Sequence, residues 1–294
     1  MTTTASAIDI DARLLRDWPL PEPGSSADKE DRGSTLVIAG SSEMPGAAAL
    51  AATAALRAGA GKLAVATGAS VARGLALAVC EARVYALPEN DGGGLAPDGL
   101  ALLEPRLGRV DAVLLGPGLQ DGAATRAFTR RLLKRTSRAQ VVLDALAMDV
   151  VLDLRRFERA PLMTPHAGEM AHLTGLAKDE VSADPERHAR EAALRWNAVV
   201  ALKGSTTFIA TPEGDCWRHV GGQAGLGTSG SGDVLAGIVI GLAARGAPLA
   251  QAAAWAVALH ARAGRALAER VGPVGYLARE LAAEVPGLME KLAH

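Results

Sequence analysis

From Ser34 onward the chain alternates two kinds of hydrophobic pattern. Short runs dense in apolar residues, with little polar alternation, recur as STLVIAG (34–40), KLAVAT (62–67), ARVYAL (82–87), AVLLG (112–116), QVVLDA (140–145), PLMT (161–164) and AVVALKG (198–204). Each is of strand length, and the longer Ala- and Leu-rich stretches between them read as helices. A strand covered by helices on both faces must be apolar on both sides, so this alternation predicts a mostly parallel sheet with crossover helices. TTFIATPEGDCWRHV (206–220) departs from the pattern. Two strands around Pro212-Glu213-Gly214-Asp215 predict an antiparallel hairpin at one edge of the sheet. Three helices, opening near Ser231, Pro248 and Tyr276, are expected to close the chain.

Residues 1–33 read as a lead-in: a short helical piece near Leu14, then the exposed loop PEPGSSADKEDRG (21–33), whose Pro, Gly, Ser and charges oppose regular structure. Order is expected to begin at Ser34, with 34–294 forming one catalytic domain, since no fixed-period repeat or second linker follows. A length of 294 residues suits a single large α/β unit. Hydrophobic residues make up 49% of the chain but aromatics only 3%, so the helices should pack closely through small side chains.

The formal charge of −1, without a long Lys/Arg run, argues against nucleic acid or an anionic membrane as partner. Any anion must therefore be held by local structure. Cys80 and Cys216 lack CxxC spacing, so neither a zinc site nor a disulfide framework is expected. The start, MTTTASAIDIDARLLRDW, lacks the basic and apolar blocks of a signal peptide, and the longest apolar run, 234–244, is too short for a bilayer. The expectation is a cytoplasmic protein.

In open parallel sheets ligands bind beyond the carboxyl ends of the strands. Three unusual segments sit at such ends: Gly116-Pro117-Gly118, Thr164-Pro165-His166 and Lys203-Gly204-Ser205-Thr206-Thr207. A fourth, Gly225 to Asp233, leads into the apolar helix VLAGIVIGLAA. Glycines let the backbone approach a phosphate, and the first helical turn supplies free amides, so Gly230, Ser231 and Gly232 read as an anion hole. Asp233 at its mouth could simply cap the helix. Beside a glycine loop it reads better as a general base, ionised at neutral pH given an ordinary aspartate pKa of about 3.9. His166 gains interest from its place on the shared rim. Lys203 could be a solvated charge, but Gly204 to Thr207 would suit a ribose and adenine. GSSEMPG (40–46) is neither a Walker loop nor a GxGxxG fingerprint, Asp91-Gly92-Gly93-Gly94 reads as a flexible loop, and the helix holding Trp255 and His260 reads as core.

GSSEMPGAAALAATAALRAGAGKL, LLGPGL, LMTPHAGEM, ALKGSTTFIA and GSGDVLAGIVIGL, in this order between about Trp18 and Pro286, resemble the ADP-dependent NAD(P)H-hydrate dehydratases. These belong to the ribokinase-like superfamily. The resemblance implies a three-layer αβα sandwich and an enzyme that uses ADP to dehydrate the S-epimer of NADH or NADPH hydrate, releasing AMP and phosphate. It implies that Ala47, Gly118, His166 and Asp233 contact the hydrate, that Lys203, Gly204, Ser205, Thr206, Thr207 and Gly232 hold the adenine nucleotide, and that Asp233 is catalytic. It also implies Mg2+, for which no motif displays ligands, and a homotetramer. The lead-in is too short for an epimerase domain. Four positions depart from the family pattern: Ala167 replaces the proline of TPHPGE, Gln223 a common asparagine, Ser229 a common glycine and Leu146 a frequent second aspartate after LDA. A small-molecule kinase of the hydroxyethylthiazole or pyridoxal type, or a non-catalytic nucleotide sensor, are the rival readings.

Overall fold

The computed structural model describes residues 6–22, 24 and 28–293. Pro23 and residues 25–27, part of the expected exposed loop, lie outside the described residues. Ten strands, β1 (Ile8–Asp9), β2 (Ser34–Ile38), β3 (Lys62–Gly68), β4 (Arg83–Leu87), β5 (Ala112–Leu115), β6 (Gln140–Leu143), β7 (Leu162–Met163), β8 (Val199–Leu202), β9 (Thr206–Ala210) and β10 (Cys216–Val220), form one sheet. Its order is β1-β10-β9-β8-β7-β6-β5-β2-β3-β4. The pairs from β8 through β4 are parallel, whereas β9 is antiparallel to both β8 and β10. The expected hairpin is thus β9–β10.

Eleven α-helices surround this sheet among the described residues: α1 (Ala12–Asp17), α2 (Pro45–Arg57), α3 (Ala72–Ala78), α4 (Glu104–Leu107), α5 (Gly122–Leu133), α6 (Ala167–Thr174), α7 (Lys178–Ala183), α8 (Pro185–Trp196), α9 (Ser231–Ala244), α10 (Leu249–Arg270) and α11 (Ala278–Ala293). Successive strand residues point to opposite faces. Val37, Val65, Leu114 and Val142 accordingly join the core under α2 and α9 to α11. Leu36, Ala64, Val113 and Leu143 join a second core under α5 to α8. Both faces of every central strand are buried, which explains the unbroken apolar runs and yields the three-layer αβα sandwich.

The expected start of order at Ser34 is not what the structure has. Regular structure begins well before Ser34, because β1 pairs with β10 as the sheet edge and α1 follows it. Arg218 Nε donates to Asp9 Oδ1 at 2.6 Å, and the Trp18 ring stacks on Trp217 with centroids 5.2 Å apart. The Trp18 carbonyl accepts from Gln251 Nε2 at 3.1 Å and Trp255 Nε1 at 2.9 Å. The lead-in therefore satisfies buried donors of α10. The helix near Leu14 is α1, capped by the Asp11 side chain. No described helix is long and apolar enough to cross a membrane.

Candidate active site

The strand order reverses between β2 and β5: after β2 the chain adds β3 and β4 on one side, then returns to β5 on the other. Connections leave this point in opposite directions, opening a crevice at the carboxyl ends where ligands of such sheets bind. The loops after β2 and β5 meet here. Gly40 N donates to the Pro117 carbonyl at 2.8 Å, and a Cβ built on Gly118 would lie 2.6 Å from Ala47 Cβ. Ala47 and Gly118, distant in sequence, are thus neighbours. Gly116 has φ +135°, and any Cβ there would run into the Asp144 carbonyl, so glycine is required where β5 turns under β6.

The glycine loop enters from the helical layer. Gly230 adopts φ +87° before the first turn of α9, and a Cβ there would lie 3.8 Å from Asp233 Oδ2 and against Leu50, one turn beyond Ala47 on α2. This joins the Ala47–Gly118 crevice to Asp233. The expected anion hole is altered in one respect: Ser231 N donates to the Thr228 carbonyl at 3.2 Å, so its amide is spent within the loop. The amides of Gly232 and Asp233 in the first turn of α9 have no acceptor among the described residues and are open to an anion, as is the amide of Gly230 in the loop just before them.

A cavity of about 610 Å³ adjoins this helix start. Lys203, Gly204, Ser205 and Thr207 line it from the β8 end, Gln223, Ala224 and Leu226 to Thr228 from the glycine loop, and Ser231, Gly232 and His260 from α9 and α10. Its size suits a nucleotide. Of the residues expected to hold ADP, Thr206 is set apart, lining a neighbouring groove beside Phe208 and Arg218 instead. A further cavity of about 360 Å³ lies at the opposite ends of β6 and β7, away from these amides.

Between cavity and crevice stands a charged cluster. Lys203 Nζ lies 3.3 Å from Asp144 Oδ1 and 3.8 Å from Glu169 Oε2, and near Gly232. Thr164 Oγ1 donates to Asp144 Oδ1 at 2.6 Å. Burial alone would lower the Lys203 pKa, but the carboxylates of Asp144, Glu169 and Asp233 outweigh it and hold the ammonium above its ordinary range. Asp233 is pushed up to about 6, first by desolvation and then by the charge of Asp144, against which Lys203 acts. Among the described residues the Asp233 carboxylate accepts no hydrogen bond, neither from the backbone of the α9 start nor from a side chain. Simple capping therefore does not account for it.

His166 caps α6: its Nδ1 accepts from Gly168 N at 3.0 Å and Glu169 N at 3.2 Å, while Glu169 bonds back to the His166 amide. The proton of a neutral ring then sits on Nε2. The side chain is still 58% exposed on the cavity rim, leaving that N–H available to a ligand. Asp144 and Glu169 had no assigned role in the sequence reading. The signal for Asp144 was a single acid at a strand end. For Glu169 it was a capping-box glutamate three residues after His166. The Asp91-Gly92-Gly93-Gly94 loop is also tied down: Asn90 Nδ2 donates to Asp121 Oδ2 at 2.8 Å and Gly94 N to Asn90 Oδ1 at 2.9 Å.

A doubly wound, mostly parallel sheet between helical layers, with a nucleotide-sized cavity at the carboxyl ends of its strands, places the protein in the ribokinase-like fold class. The chain belongs to the NAD(P)H-hydrate dehydratase family, whose profile matches residues 35–287. It is 48% identical over 288 residues to the ADP-dependent (S)-NAD(P)H-hydrate dehydratase of Xanthomonas campestris, covering 96% of each chain. Its fold matches the Bacillus subtilis ADP/ATP-dependent NAD(P)H-hydrate dehydratase co-crystallised with ATP and Mg2+, with TM-score 0.81, 27% identity and coverage of 98% and 100%. A ribokinase-like protein of Enterococcus faecalis shares the fold at TM-score 0.83 and 24% identity, over 98% and 96% of the chains.

Proposed function

We propose that this chain uses ADP to dehydrate the hydrates of NADH and NADPH, regenerating the reduced nucleotides. The carrying observation is Asp233: one carboxylate, raised to about 6, between the Ala47–Gly118 crevice and the free amides at the start of α9. The crevice receives the hydrated ring, with Gly118, Ala47 and the exposed edge of His166 against the dinucleotide. The cavity receives ADP, its β-phosphate on the Gly232 and Asp233 amides and its nucleoside toward Gly204, Ser205 and Thr207.

Asp233 takes the proton of the ring hydroxyl as that oxygen attacks the β-phosphorus, and AMP leaves. The amides and Lys203 offset negative charge that builds on the transferred group. Hydroxide is a poor leaving group, whereas phosphate is a good one. The ring nitrogen's lone pair then expels phosphate, and loss of the neighbouring ring proton restores the dihydronicotinamide.

Magnesium is held through one or two carboxylates together with substrate phosphates. Asp144 and Glu169 are hard oxygen donors beside the phosphate end and fit that requirement, although no group of three potential ligands occurs among the described residues. The ion would supply charge neutralisation at the phosphates. Lys203 meets part of the same need with a fixed cation.

An alcohol kinase could use the same base and amides, but family membership favours the hydrate. The test is recovery of reduced-nicotinamide absorbance when the protein is given NADH hydrate, Mg2+ and ADP or ATP. Asp233→Asn should still bind ADP and lose turnover by about 10²–10⁴. Accumulation of a stable phosphate ester of an added alcohol, without recovery of absorbance, would transfer the assignment to the kinases.

A further inference from the structure

Ser231 opens α9 yet cannot offer its amide to an anion, because Thr228 O already accepts it at 3.2 Å. Its side chain is arranged unusually. Ser231 Oγ lies 3.0 Å from His260 Nε2, and the Ser231 carbonyl lies 3.1 Å from the same nitrogen. Both residues are at least nine-tenths buried and both line the nucleotide cavity.

These two contacts determine where the hydrogens are. A carbonyl oxygen can only accept, so a 3.1 Å approach to Nε2 is attractive only if Nε2 carries the proton. That N–H is then shared between the carbonyl and Oγ, and Oγ is an acceptor toward the ring. The hydroxyl hydrogen must rotate away from the imidazole. Burial lowers the His260 pKa to about 4, so the ring is neutral in use and contributes orientation without charge.

We propose that Ser231 donates its hydroxyl hydrogen to a phosphate oxygen of the bound nucleoside diphosphate, and that His260 is the positioning residue aiming it. This rests on the nucleotide assignment of the cavity given above. A three-donor cradle results: two backbone amides, from Gly232 and Asp233, and one oriented hydroxyl. The hydroxyl occupies the place that the spent Ser231 amide leaves unfilled. His260, on a helix whose sequence reads as core, becomes part of the binding apparatus through one hydrogen bond.

The experiment is calorimetric titration of the full chain with ADP, alongside thermal unfolding of each variant. Ser231→Ala should weaken ADP binding about tenfold, the effect of one hydrogen bond to a charged acceptor. His260→Leu should cause the same loss alone and add nothing in the Ser231→Ala background. His260→Gln, whose amide can still donate, should stay within about threefold of the unaltered chain. Ser231→Ala with unchanged ADP affinity, or a full additional loss from His260→Leu in its background, overturns the proposal. If His260→Leu fails to fold, the other two variants decide: weakened binding in Ser231→Ala with retention in His260→Gln supports it, and equal affinities refute it. Absence of hydrate turnover in the unaltered chain would sink the dehydratase reading while leaving this titration valid.

Discussion

Asp233 follows Gly230-Ser231-Gly232 in the first turn of α9, an acid beside a glycine loop. Its sequence position suggested a base with a pKa near 4, whereas burial and the Asp144 charge lift it to about 6. The lift makes it a better proton acceptor while leaving it mostly ionised at neutral pH. The kcat/KM profile should climb roughly tenfold per pH unit below about 6 and level off above it, and Asp233→Asn should abolish that limb. Stability carries the opposite sign. A carboxyl with a raised folded pKa keeps its proton after the unfolded chain has released it, so between about pH 4 and pH 6 its effect is to lower stability as pH rises. Asp233→Asn should therefore be more stable than the unaltered chain at pH 7, by on the order of 1–3 kcal/mol, in denaturant titration. Lys203, whose folded pKa is raised, contributes stability below the ordinary lysine range and loses it only above. Lys203→Met should cost about 3 kcal/mol by leaving Asp144 and Glu169 without their cation, and Asp144→Asn should restore part of it.

Helices α2 and α9 set the distance between the two halves of the site. They approach closely because Gly237 and Gly241 stack one turn apart, and a Cβ at either would strike the carbonyl of Ala51 or Ala55. This close packing holds Gly230 against Leu50 and so places Asp233 beside the crevice. Gly237→Ala should cost about 1–3 kcal/mol in chemical denaturation and should lower kcat more than it weakens ADP binding, because it moves α9 away from α2. Equal loss in both quantities would argue that the two helices do not set the spacing. The Ala-rich composition implied close helix packing, and VLAGIVIGL is legible as a buried helix. Which helix its glycines face is not, since a small residue only says that something approaches.

The lead-in closes one edge of the molecule. Trp18 covers Trp217, and its carbonyl satisfies Gln251 and Trp255 of α10. Trp18→Ala should lower stability by about 2 kcal/mol without changing ADP affinity, as followed by thermal unfolding and titration. The local composition of residues 1–33, rich in Pro, Gly and charge after the short helix, looked like an exposed tail. Two residues of strand, Ile8 and Asp9, are too short to carry a periodic signal, and their ordering depends on a partner more than 200 residues away.

The strands from β2 onward, the parallel class, the hairpin and the glycine loop before α9 were legible in the order of residues, because each follows from local periodicity or backbone sterics. The proposal of Asp233 as the base likewise starts from its place after Gly230-Ser231-Gly232. The charged cluster around Lys203 and the Ser231–His260 pair were decided only by the fold. They join residues from different crossovers, such as Asp144, Glu169 and Lys203, and the hydrogen-bond partner of an amide or a hydroxyl is a property of space, not of neighbouring positions in the chain. The same cause explains why the Asp233 carboxyl has a raised pKa: desolvation and a second carboxylate exist only once the layers have closed.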